Sequence, residues 1–505
     1  MTVAAARNDS RLFATCFAAI VATSFCFILR ALVVDDWGRE FALSETQKGE
    51  LLGVGLWPFS ISIILLSLLI DRIGFRTVLW FAAACHVVGL VVLLTASGYW
   101  GLYGGTFAMA LGNGAVEAAA NPLVATLYNH DKPKWLNRLH AGWPAGLILG
   151  GMLALAAGAA TDWRIKCGLL AIPVAIYSLM LIGRRFPVSE RVASGISYRA
   201  MLSEAGFVSA AIITLLMMLE IGRLAALSAS ALIGIVVVMT AIYGIYARGA
   251  VGRPLFIVLM LIMIPLATTE LSTDSWISSL MEPEMRRIGL QAGWVLVYTS
   301  AIVFVIRIFA GSLIHWLKPL PVLAAASALA FVGLYALSGM TGFWLLAAAT
   351  LYCIGKSFFW GTSLGVCSEQ FPKGGAVTIN VMAGAGMLAA GIIGSVLLGA
   401  AQDRATADAL ASRDAQQGTH LADTYLSGAK VSVFGPYRAL DAAKVAGADP
   451  PDRALLSEIQ GVAKKTALKD VAKLPLGMVG AYLVLIAIFR IRGGYRPVVL
   501  AQAAE

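Results

Sequence analysis

Residues 48–97 read KGELLGVGLWPFSISIILLSLLI, DRIGFR, TVLWFAAACHVVGLVVLLTAS: two apolar runs, 48–70 and 77–97, joined by a short segment with three charges. Each run holds about 20 residues, the length at which a helix rising 1.5 Å per residue crosses about 30 Å of hydrocarbon. Neither run alternates apolar and polar residues, as a barrel strand would. The segment is therefore a pair of membrane helices with a charged glycine turn at one face.

The same pattern recurs along all 505 residues, 59% of which are apolar and 13% charged. Soluble domains carry about a quarter charged residues, so the apolar surplus must face lipid. The expected spans are 12–34, 48–70, 77–97, 100–127, 140–160, 166–185, 205–222, 227–247, 254–280, 289–314, 319–338, 342–369, 376–401 and 473–491. This is an all-α polytopic membrane protein of about fourteen helices, grouped as six, two and six. The first run is long for a signal peptide and reads as a retained helix.

The corresponding domains are a six-helix bundle over 1–190, a linker with two extra helices over 191–253, and a second bundle over 254–402 and 473–505. Residues 403–472 lack a long apolar run and read as a loop before the last helix, with 451–467 a candidate amphipathic helix. The formal charge of +10 sits mostly in alternate short loops and sets topology rather than nucleic-acid binding. One side carries sixteen to eighteen Lys and Arg, counting the terminal ones, among them Arg72, Arg76, Arg184, Arg253 and Lys318; the other carries seven. The positive-inside rule then places both termini in the cytoplasm of a cell whose inner membrane holds the protein. The six cysteines, all in expected helices, offer no zinc spacing or disulfide framework. P-loop, HExxH and Rossmann patterns are absent, so no cofactor and no metal is expected, and any work is drawn from a solute or ion gradient.

The halves repeat at an offset of about 243. Leu111-Gly112-Asn113 aligns with Ile354-Gly355-Lys356, Asn137 with Asn380, and Ser67–Asp71 with Gly311–His315. Parallel repeats of this kind place a substrate site near the midplane between two bundles.

Asp71-Arg72-Ile73-Gly74-Phe75-Arg76 resembles the D-R-x-G-x-R signature of the major facilitator superfamily. The resemblance implies a conformational latch at Asp71, Arg72, Gly74 and Arg76; the second copy, Ile314–Lys318, is degraded. Glu117-Ala118-Ala119-Ala120-Asn121-Pro122, followed by Leu136-Asn137-Arg138-Leu139, resembles the fourth and fifth helices of fucose-permease-like sugar/proton symporters. That resemblance implies a role for Glu117 in substrate binding and proton coupling. The acid that the symporters carry in helix 1 is replaced here by Arg30-Ala31, with Asp35 and Asp36 further along.

Charges within the bilayer cost at least about 2.5–3.5 kcal/mol each on insertion scales. Arg30, Glu117, Glu270, Asp274 and Lys356 lie on the helices that line the cavity in that superfamily, and Arg307 on a neighbour. Arg30 is expected to face Glu117, and Lys356 to face Glu270 or Asp274. Asn113 and Asn121 suit hydroxyls or amides, and Trp276 and Trp360 suit stacking on a sugar ring. Static packing is the competing reading for each. The expected function is a monomeric symporter of protons and a small polar solute, a sugar or related metabolite. An exporter of drugs or metabolites on the same fold, and a membrane sensor or enzyme, stay open as alternatives.

Overall fold

A computed structural model describes residues 3–128, 135, 138–158, 160–188 and 197–498; the side chains of 3–7, 71, 125, 308–315, 368, 372 and 375–376 lie outside the description. Within it fourteen helical passages follow one another. They are α1 (Val3–Glu40), α2 (Glu45–Ile70), α3 (Arg72–Leu94), α4 (Tyr99–Leu127), α5 (Arg138–Ala156), α6 (Trp163–Leu181), α7 (Tyr198–Leu224) and α8 (Ala229–Tyr246). The second half comprises α9 (Pro254–Arg287), α10 (Trp294–Leu317), α11 (Pro319–Gly339), α12 (Trp344–Lys356, resumed at Phe359–Gln370), α13 (Val377–Gln417) and α14 (Pro450–Ile491). Eleven of them are long and apolar enough to cross a membrane on that basis alone. Of the rest, α4 carries Asn113, Glu117 and Asn121, the described apolar part of α10 is short, and α12 is broken.

Both described ends lie on one face, here the terminal face: Val498 donates its backbone N–H to the Glu369 carbonyl, and Asn8 donates to the Arg185 carbonyl. The opposite face is roofed by the chain between α13 and α14 and is called the cap face. Several helices run further than the apolar pattern indicates, two of them by far the most. α13 continues to Gln417 and α14 starts at Pro450, so much of 403–472 is helix rather than loop. Polar helix extensions give no hydropathy signal, but their ends have the usual stops. Gly418 closes α13 in the left-handed conformation, and a proline opens α14 at its first turn. Between them lie a short helix, Leu421–Tyr425, and a two-stranded antiparallel hairpin, β1 (Lys430–Ser432) with β2 (Gly435–Tyr437), Lys430 opposite Tyr437. A small apolar core of Leu410, Leu421, Tyr425, Leu426 and Leu456 holds this cap together.

The repeat is visible in packing. A Cβ at Gly112 would stand 2.9 Å from the Ala82 carbonyl, and one at Gly355 would stand 2.5 Å from the Ala326 carbonyl. Each glycine lets the fourth helix of its half lie directly on the third. Between halves, α2 meets α13, α1 meets α9 and α5 meets α10. The tightest approach is Gly53 against Gly391, where a side chain on either would collide with the other's carbonyl. Ser60 Oγ donates to the Gly384 carbonyl at 2.7 Å and Asn380 Nδ2 donates to Ser67 Oγ at 2.6 Å along the same seam.

α7 spans this seam from outside. It packs on α13, and Tyr198 Oη donates to the Leu68 carbonyl of α2 at 2.7 Å. At its other end buried Glu220 accepts from Tyr103 Oη at 2.8 Å and from Arg223, which also pairs with Glu50 at 3.2 Å. α8 rests on α7 and buries none of its residues, so it faces lipid.

Candidate functional site

In the second half the site is built on a break in α9. Pro265 lies inside that helix, and the backbone widens into a π-helical turn over Thr268–Ser272. Such turns displace carbonyls from the regular ladder; the Thr269 carbonyl accepts from Tyr352 Oη at 2.7 Å. Glu270 sits in that turn and Asp274 four residues on. α12 brings Tyr352 and Lys356 opposite them, again four apart and so on one face. Lys356 Nζ donates to Asp274 Oδ1 and lies 5.0 Å from the centre of the Tyr352 ring. Arg307 Nη2 donates to Glu270 Oε1 at 2.7 Å, while Glu270 Oε2 is buried without a donor. Lys356 has thus chosen Asp274, and Glu270 has taken Arg307. Two ion pairs from α9, α10 and α12 form one charged cluster, with Glu270, Asp274 and Lys356 all buried.

The first half is not symmetric with this. Glu117, buried on α4, accepts from Asn121 Nδ2 at 2.7 Å. Among the described residues it has no cationic partner. The expected Arg30–Glu117 pair does not form. The Arg30 guanidinium packs over the Phe27 ring, 5.5 Å from its centre, and against Gly55 in the non-helical turn of α2. Turned this way along α1, it meets α2 rather than the inner face of α4.

Asn113 is engaged within its own half. Its Oδ1 lies 2.8 Å from His86 Nε2, and His86 Nδ1 lies 2.8 Å from Tyr177 Oη, a buried chain from α4 through α3 to α6. Trp276 is fully buried and donates to the Ser395 carbonyl at 2.9 Å, holding α9 on α13. Trp360 is half-buried with its ring edge near Gly386. Arg72 and Arg76 are exposed around Gly74 at the terminal face. The Asp71 side chain, and Asn137 altogether, lie outside the described residues.

The cap face holds further polar groups at and just beyond the ends of the apolar runs. Lys48 Nζ donates to Asp35 at 2.8 Å and to Glu45 at 2.7 Å. Asp35 also accepts from Ser279 Oγ of the second half at 3.0 Å. Thr46 of the first half gives its N–H (2.8 Å) and Oγ1 (2.5 Å) to Asp403 of the second, while Ser44 Oγ lies 3.1 Å from Tyr437 Oη. A cavity of about 560 Å³ opens beside these contacts, lined by Asp35, Glu45, Lys48, Asp403, Arg453 and Lys464. The signal available for this region is the run Ser44-Glu45-Thr46-Gln47, which forms a capping box at the start of α2.

Several solved structures share this architecture. A bacterial homologue of the human lysosomal transporter Spinster, inward-facing and unoccupied, superposes with a TM-score of 0.66 at 13% identity over 97% of this chain and 99% of its own. A bacterial homologue of the human drug peptide transporters gives 0.59 at 12% identity over 96% and 99%. The xylose transporter XylE from E. coli, partially occluded and inward open, gives 0.55 at 14% identity over 77% and 92%. Identities this low establish the fold alone. No curated protein sequence matches the chain. The sequence profile of the Major Facilitator Superfamily matches residues 12–395. With that profile covering most of the chain, the protein belongs to the Major Facilitator Superfamily of transporters.

Proposed function

We propose that the protein is a secondary active symporter that carries a small polar solute, a sugar or related metabolite, together with protons by alternating access. The observation that carries this reading is the asymmetry of the buried acids. Glu270 and Asp274 each have a cation, whereas among the described residues Glu117 has only the Asn121 amide. A carboxylate in a low-dielectric site is costly unless it is paired or neutralised. A proton taken up at Glu117 on one side and released on the other would couple the gradient to the cycle, because its interaction differs between the two states.

The solute is placed between Glu117 and Asn121 on one side and the Asp274–Lys356 pair with Trp360 on the other. Asn121 Oδ1 is buried without a donor, which suits a solute hydroxyl. The charges in both halves argue against export of a lipophile. The basic loops assign the terminal face, with the Asp71, Arg72, Gly74 and Arg76 latch, to the cytoplasm of a cell with the protein in its inner membrane. The protein acts as a monomer in this reading.

The test is uptake of radiolabelled sugars and polyols into proteoliposomes, with and without an inward proton gradient, by wild type and Glu117→Gln. Gradient-driven accumulation by wild type that is lost in the variant, with exchange of labelled for unlabelled solute retained, is expected. Undiminished accumulation by Glu117→Gln would remove Glu117 from coupling.

A further inference from the structure

Asp403 stands just beyond the apolar run 376–401, in the polar extension of α13. The 41 residues of that helix span about 60 Å at 1.5 Å each, twice the hydrocarbon thickness, so its cap-face end lies outside the bilayer core. There the side chain reaches across to the first half. Its Oδ2 accepts the Thr46 N–H at 2.8 Å and the Thr46 hydroxyl at 2.5 Å, both from the first turn of α2. Asp403 is 4% exposed, and among the described residues no lysine or arginine pairs with it.

The cations around it are engaged elsewhere. Lys48 of α2 is held by Asp35 and Glu45, Arg39 of α1 by Asp36, and Arg404 of α13 by the Phe434 carbonyl. On α14, Lys464 donates to the Ser279 carbonyl and Arg453 to the carbonyls of Ala446 and Ala448. In the hairpin, Lys430 donates to Gln47 Oε1 at 3.1 Å and attracts Asp403 without pairing, while Tyr437 lies against Ser44. Glu282 of α9 pairs with Arg286, and Glu45 of α2 repels Asp403. A buried carboxylate placed this way is favoured in its neutral form. Burial raises the Asp403 carboxyl, the Thr46 hydroxyl bond lowers it in part, Glu45 raises it again, and it is pushed up to about 7.

Parting of the halves at the cap face removes Thr46 and opens to water the cavity that Asp403 lines, which returns the carboxyl to the usual carboxylate range. The closed form therefore binds the proton more tightly than the open form. Its advantage is complete below the usual carboxylate range and is lost as the pH rises through about 7. We propose that Asp403 is a further proton-binding residue of the transport cycle, which takes up a proton from the cap side as that face closes and returns it to the same side as the face opens. This proton is not carried across the membrane. It sets how readily the cap face closes, so acid on that side favours the state open toward the terminal face. The inference rests on the alternating-access reading and is independent of the solute and of Glu117.

The test is the spin-label distance between Ser97 and Thr341, exposed positions in the cap-face loops of the first and second halves, in lipid nanodiscs without solute from pH 8 to pH 5. It is measured in Glu117→Gln, so that this acid does not titrate, with and without Asp403→Asn. In Glu117→Gln the short-distance, closed fraction should grow as the pH falls, its ratio to the open fraction rising up to about tenfold for each pH unit below 7. Adding Asp403→Asn, a neutral group of the same shape, should leave that fraction independent of pH. A closed fraction in Glu117→Gln that stays constant or falls on acidification would overturn the proposal, as would a pH response retained with Asp403→Asn. Should the Asp403→Asn chain fail to fold, Thr46→Val decides. It removes the hydroxyl that favours the ionised carboxyl, so the rise should begin at higher pH, and an unmoved onset rejects Asp403. Loss of uptake in Glu117→Gln bears on the symport reading alone, because neither solute nor gradient is present here.

Discussion

Lys318 adopts φ 69°, ψ 153° at the turn between α10 and α11, where Gly74 adopts φ 79°, ψ 155° between α2 and α3. The two positions are equivalent in the repeat. The backbone turn has been kept in the second half although its residues have diverged, and a side-chain-bearing residue now occupies a conformation suited to glycine. Such strain costs about 1–3 kcal/mol. Lys318→Gly should raise stability by about 1 kcal/mol after glycine's larger unfolded entropy is subtracted. Gly74→Ala should lower it by about 1–3 kcal/mol. Melting temperatures of the two variants in detergent check both signs.

The ion pairs behave differently. Asp274→Asn leaves the Lys356 ammonium buried without its partner, and a loss of about 3–5 kcal/mol is expected. Asp274→Asn with Lys356→Met should recover much of that stability while still failing in transport, which separates packing from function. The candidate charges themselves were readable in the sequence, because an ionisable residue in an apolar run stands out. Their partners were not. Arg30 had Glu117 as the nearest plausible carboxylate in helix count, yet rotation about α1 turns the guanidinium toward Gly55 and Phe27. Asn113 likewise reads as a cavity amide but is consumed by His86.

Among the helices, most of the apolar spans were legible to within about five residues at each end, while α1, α7 and α9 run six to nine residues beyond theirs. Periodicity could not give the ends of α13 and α14, because their outer turns are polar and are stabilised by the cap's own small core rather than by lipid. Nor did the sequence place α7, whose role emerges only from its contacts with α2, α4 and α13. The α2–α13 seam yields a prediction. Gly53 and Gly391 approach too closely for any side chain, so Gly53→Val should force the halves apart at the cap face. Thr46→Cys placed in that background should react faster with a membrane-impermeant maleimide than it does with Gly53 intact. Equal rates would mean that the seam has little to do with closure of that face.

Across the whole molecule, the charged and acidic contacts between halves lie at the cap face, while Ser60–Gly384 and Asn380–Ser67 join the halves further along the α2–α13 seam. Thr46–Asp403 and Asp35–Ser279 join the two bundles there, and Ser44–Tyr437 ties the cap to the first half. α5 and α10 touch at the same level, through Gly151 against Val297 and Gly293 against Leu155. A duplicated fold closed at one face can serve a gradient only if the other face closes when this one opens. The duplication was legible because three short matches shared nearly one offset, and the matching glycine contacts on α3 and α11 extend it into packing. The direct measurement is a pair of spin-label distances across the halves in lipid nanodiscs. One pair joins Arg39 to Arg286 on the cap face and the other joins Arg76 to Lys318 on the terminal face, each measured in wild type and in Glu117→Gln, whose neutral amide stands in for the protonated acid. Glu117→Gln should lengthen the cap-face distance and shorten the terminal-face distance relative to wild type. Two distances that stay fixed, or that move in the same direction, would contradict alternating access driven by that carboxylate.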